Sequence, residues 1–126
     1  MKAKNFLGIM VPMVIALASR TGAASAHSFP EHEDPSAGAS VAVSPAQVTI
    51  KYDAPIEKLF DSLRVLDAAG EDKAAGAPRL SADGRELSVS VAPLSPGEYT
   101  VKWRVVCIDT HHTAGSYSFT VQGNTK

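Results

Sequence analysis

The sequence predicts an all-β fold, an immunoglobulin-like antiparallel β-sandwich or Greek-key barrel of about seven strands. Three observations lead there. Apolar residues alternate with polar ones at period two in several separate runs, as strands with one buried face require. No run after the first 26 residues shows a sustained period of 3.6. Turn chemistry falls between the alternating runs, at the short spacing typical of sandwiches.

The runs can be taken in chain order. Pro35, Gly38, Pro45 and Pro55 punctuate an early part that should be extended and irregular, with a short strand near Ser40–Val43. Val48, Ile50 and Tyr52 then alternate with Thr49 and Lys51. Pro55 to Asp61 has room for a helical turn. Leu63 and Val65 alternate with Ser62 and Arg64, and Ala68-Ala69-Gly70 breaks the chain. A second short strand is expected at Ala77–Leu80. Asp83-Gly84 has the residues for a tight hairpin turn, because both tolerate positive φ. Leu87, Val89 and Val91 follow, and Pro96-Gly97 suits a type II turn. The longest set is Tyr99, Val101, Trp103 and Val105, and Tyr117, Phe119 and Val121 close the pattern. The aromatic residues share inward parity, which makes them core.

The first 26 residues read differently. Lys2 and Lys4 precede an apolar stretch, Phe6 to Ala18, and Ala24-Ser25-Ala26 offers an Ala-x-Ala cleavage site. That is the pattern of a secretory signal peptide, and the apolar stretch is short for a bilayer span. Residues 1–26 are therefore expected to be removed, leaving one domain, residues 27–126. Three of the twelve basic residues (Lys2, Lys4, Arg20) lie in the leader. Nine cations then face thirteen acids, a net charge of −4, which argues against nucleic acid or an anionic membrane as partner. Cys107 is the only cysteine, so no intramolecular disulfide can staple the fold and packing must hold it.

All three methionines leave with the leader and all four histidines stay. Cleavage after Ala26 makes His27 the first residue, with a free α-amine and an imidazole able to chelate one metal ion. An α-amine has a reference pKa of about 8, so its deprotonation near neutrality is easy. The second cluster is Asp109-Thr110-His111-His112. Asp109 and His111 are two apart, and on a strand would project from one face, while His112 would point away into solvent. One amine, two imidazoles and one carboxylate suit tetragonal Cu(II). Zinc accepts the same donors, whereas calcium and magnesium want oxygen. Without methionine there is no thioether-rich Cu(I) site. His32, within Glu31-His32-Glu33-Asp34, reads first as part of a solvated acidic loop and second as a weak extra metal contact. Cys107 reads first as a small buried apolar residue and second, sharing strand parity with Asp109, as a residue able to approach the metal.

These residues together resemble the CopC family of copper-resistance proteins. The resemblance rests on His27 after the leader, Pro35-x-x-Gly38, Pro96-Gly97-x-Tyr99-x-Val101-x-Trp103, Asp109-Thr110-His111 and Gly115-Ser116-Tyr117-Ser118-Phe119. It implies a periplasmic Cu(II)-binding β-sandwich of the kind without methionine-rich segments. It further implies that His27, Asp109 and His111 hold the copper, and that a separate CopD-type inner-membrane protein is a partner for handover. The expected function is non-enzymatic copper sequestration, tolerance or delivery. Two rival readings are a histidine-brace copper oxidoreductase, which needs a broad substrate face, and an immunoglobulin-like interaction module indifferent to metal. No serine or cysteine nucleophile constellation is visible.

Overall fold

A computed structural model of the chain describes residues 27–123. The expected leader, residues 1–26, lies outside the described residues. Eight strands follow in order: β1 (Pro30–Asp34), β2 (Ser40–Val41), β3 (Gln47–Tyr52), β4 (Ser62–Leu66), β5 (Arg79–Leu80), β6 (Glu86–Ser90), β7 (Gly97–Val106) and β8 (His112–Val121). They form two four-stranded sheets, ordered β1-β3-β6-β5 and β2-β8-β7-β4. Pairing is antiparallel throughout except for the short parallel contact of β2 with β8.

Alternation explains the core. Val48, Ile50 and Tyr52 of β3 and Leu87 and Val89 of β6 point inward from one sheet. Leu63 and Val65 of β4, with Tyr99, Val101, Trp103 and Val105 of β7, answer from the other. Phe119 and Val121 of β8 complete the layer, and Tyr117 is only partly buried. Two aromatic pairs tie it together: Tyr52 meets Trp103 edge-on at 5.6 Å and Tyr99 stacks on Phe119 at 5.7 Å. Trp103 lies flat against β8 because its register partner there is Gly115. A Cβ on Gly115 would stand 2.6 Å from the indole Cζ2, so only glycine fits.

The sandwich, its core and both short strands agree with the sequence pattern, and four local expectations are corrected. The segment Pro30–Asp34 is a strand, not an irregular stretch or loop: it pairs with β3 as an edge, which lets its acids and His32 stay in water. The strand count is accordingly eight. Pro55 to Asp61 holds no helical turn; Ile56 bridges Cys107 instead, burying its side chain. At Asp83-Gly84 only Gly84 takes positive φ (72°). Ser81 N–H donates to Glu86 O at 2.9 Å, so the loop is four residues long rather than a tight two-residue turn.

The ladder of β7 with β8 is the longest, running from Gly97↔Val121 to Val106↔His112. Its turn, residues 107–111, projects from the end of the sandwich where the chain enters at His27.

Candidate metal centre

The β7–β8 connection is a three-residue hairpin loop, Ile108-Asp109-Thr110. Thr110 N–H donates to Cys107 O at 2.9 Å and Cys107 N–H donates to His111 O at 2.7 Å. Loops of this class put a left-handed residue in third place, usually glycine. Here that residue is Thr110, at φ 73°, an unfavourable conformation for a β-branched side chain. Asp109 therefore sits in a turn, not on a strand. What aims it at His111 is local hydrogen bonding rather than strand parity. Asp109 Oδ1 accepts the His111 N–H at 3.1 Å, and Oδ2 lies 3.0 Å from His111 Nδ1. A carboxylate on Nδ1 fixes the ring so that Nε2 is the free donor.

His27 reaches this turn because the residue after it is clamped. Ser28 is fully buried, and every polar group it owns is used, as burial demands. Its N–H donates to Cys107 Sγ at 3.2 Å, its Oγ donates to Pro55 O at 3.1 Å, and its carbonyl accepts from Thr113 Oγ1 at 2.9 Å. Phe29 continues the anchorage: its N–H donates to Asp53 Oδ1 and its carbonyl accepts the Asp53 N–H, both at 2.9 Å. The chain entry is thus tied to both sheets.

The clamp sets three expected ligands side by side. The rings of His27 and His111 meet edge-on with centroids 4.7 Å apart. One donor atom each from His27, Cys107 and Asp109 lies within 4.8 Å of the others. Among the described residues His27 Nδ1 is enclosed and has no hydrogen-bond partner, which leaves it free to take one, an ion included. Nδ1 is also the ring nitrogen nearest the residue's own backbone nitrogen, the one able to close a chelate with it. Desolvation opposes ionisation of Asp109. The His111 N–H, the His111 ring and the charge of His27 outweigh it and hold the carboxyl below its usual value. At neutral pH Asp109 is an anion.

The other two histidines fall elsewhere. His32 is exposed on β1, opposite Lys51, and His112 is exposed at the start of β8. Cys107 is buried, as expected of a free cysteine, and it is also the acceptor that seats Ser28. Sequence reasoning missed Ser28 altogether. Its partners at Cys107 and Thr113 are 79 and 85 residues away, and nothing local marks it.

The chain as a whole is similar to known proteins. The CopC domain family matches residues 31–122. The chain belongs to the CopC family. It is 35% identical over 99 residues to protein YobA of Escherichia coli K12, covering 77% of this chain and 80% of that protein. It is 35% identical over 120 residues to copper resistance protein C of Xanthomonas campestris pv. juglandis, covering 86% and 92%. The crystal structure of CopC from Methylosinus trichosporium OB3b superimposes with a TM-score of 0.74 at 34% identity, over 79% of this chain and 98% of that one. PcoC of E. coli, a methionine-rich copper resistance protein, gives 0.67 at 26%, over 76% and 99%. The CopC match begins four residues after His27. The described residues, unlike PcoC by its description, contain no methionine.

Proposed function

We propose that this CopC-family chain is a Cu(II) carrier or sequestering protein of the bacterial periplasm, exported by the leader and trimmed to begin at His27. In this reading copper is cargo, and the domain changes nothing in it. Export and cleavage turn the His27 backbone nitrogen into an amine. That amine and Nδ1 take two positions around the ion, and His111 Nε2 takes a third. Asp109 supplies negative charge beside the ion, either as an oxygen donor or through its hold on His111. Three nitrogens and an anionic oxygen suit the tetragonal preference of Cu(II).

The observation that carries the reading is the enclosed, unpartnered His27 Nδ1 within reach of Asp109 and edge-on to His111. The names of the Xanthomonas copper resistance protein C and of E. coli PcoC, a copper resistance protein, support the choice of metal. Delivery to a separate membrane protein of CopD type remains part of the proposal, since the domain itself offers no helix long and apolar enough to span a membrane among its described residues.

A titration tests it. Cu(II) added to the protein beginning at His27 should give a saturating d–d band at one equivalent. It should also raise the melting temperature, because a ligand of the native state alone must stabilise it. His111→Ala should weaken binding by about 10-fold or more. A melting temperature indifferent to copper would leave only the interaction-module reading.

A further inference from the structure

The outer face of the β4-β7-β8 sheet carries a row of cations. Arg64 on β4 stands directly opposite Lys102 on β7, and Arg104 lies two residues further along the same face. Like charges in direct cross-strand register destabilise a sheet, so their placement needs a reason. Arg64 has one acid nearby, Asp72 Oδ2 at 3.7 Å in an exposed pair. Among the described residues, Lys102 and Arg104 have no acid within ion-pair distance. Across β7 the register partners of Lys102 and Arg104 are Ser116 and Ala114 of β8. These short side chains leave a shallow trough of about 390 Å³ beside the cationic arms, with Ser62 at its far end.

Two further features define what fits. β2 pairs with β8 only at Thr120 and Val121. From His112 to Tyr117 no described strand pairs with the far edge of β8, leaving backbone groups that an added strand can use. The trough is also open along the sheet. A small molecule would keep most of its surface in water there, unlike the enclosed sites that bind such ligands.

We infer that this face is a docking surface for an extended acidic segment of another protein. The segment lies along the β8 edge, and every second side chain extends over Ala114 and Ser116 to the cations. Charge complementarity carries the choice. The domain from His27 onward is net acidic, so three cations gathered on one face make a local field of opposite sign that steers an acidic partner. The face ends at the turn bearing Asp109 and His111, so a partner docked there stands beside the metal site. That last consequence rests on the copper reading; the docking does not.

The test uses metal-free, ¹⁵N-labelled protein and a short peptide of alternating glutamate and threonine. Amide shifts should concentrate at Ser62–Arg64, Lys102–Arg104 and Ala114–Ser116. Lys102→Glu with Arg104→Glu should weaken binding about tenfold or more, while Lys51→Glu with Arg79→Glu, the same charge change on the other sheet, should leave it within about twofold. Should the reversal unfold the sheet, Lys102→Gln with Arg104→Gln should still show the loss. Equal losses in both pairs, equal binding of a glutamine–threonine peptide, or shifts scattered over the surface would overturn the inference. So would occupancy by pyrophosphate or by phosphatidylglycerol vesicles with no response to the peptide.

Discussion

The interior of the sandwich and its metal end solve opposite problems with the same strands. Inside, Val48, Ile50, Val65, Val101 and Val105 are fully buried and bring no polar side-chain group; burial of apolar surface alone holds them. At the end, Ser28 is just as buried but polar, and it survives because three hydrogen bonds satisfy it. Beside it His27 Nδ1 is left without a partner and Thr110 takes a left-handed backbone. The interior is built for stability, while the end gives some stability up in order to place donors side by side. Backbone strain at Thr110 beside an unpartnered ring nitrogen at His27 is the kind of local cost that binding sites carry.

That contrast is open to attack by mutation. Phe119→Ala should cost about 3–5 kcal/mol of stability, the usual loss for an aromatic in a packed core, without altering the copper spectrum of the folded fraction. His111→Ala should do the reverse, changing the metal-free stability by about 0.5 kcal/mol or less while removing much of the affinity. Thermal melts with and without Cu(II) separate the two. If His111→Ala unfolded the protein as Phe119→Ala does, the division between core and site would fail.

Thr113→Val probes the boundary. It keeps the shape of the side chain but takes the donor from the buried Ser28 carbonyl, which should cost about 1–3 kcal/mol. Copper transfer to a chelator should also quicken, because the residue holding His27 in place is loosened. An unchanged melting curve would mean that the Ser28 clamp is incidental. Thr110→Gly is the smallest effect and has the opposite sign. Glycine accepts the left-handed position freely, so metal-free stability should rise by about 1 kcal/mol. A fall would show that the Thr110 side chain makes a contact worth more than its strain.

Strand parity made the core legible from the residues alone. Tyr99, Val101, Trp103 and Val105 alternate cleanly, and all four are buried. β1 escaped because Glu31, His32, Glu33 and Asp34 carry no apolar face. An edge strand with one side in water needs none, and its pairing to β3 depends on backbone rather than side chains. For the site, His27, Asp109 and His111 were visible as residue types with metal chemistry, and the structure brings them together. The reason they meet was not visible. Strand parity was the expected cause for Asp109 and His111, yet the pair sits in a hairpin turn with its own hydrogen bonds. The seat for His27 depends on Ser28, Cys107 and Thr113, an ordinary serine, a lone cysteine and a threonine. Only their tertiary contacts give them a role.

The most direct measurement compares Cu(II) affinity in two forms of the protein, one beginning at His27 and one carrying a single extra glycine before it. The extension turns the His27 amine into an amide that holds its proton far more tightly, while the ring, Asp109 and His111 are untouched. Binding should weaken by at least about 100-fold, with loss of one nitrogen from the electron paramagnetic resonance spectrum. Equal affinity and an identical spectrum in the two forms would contradict the terminal chelate on which the account stands.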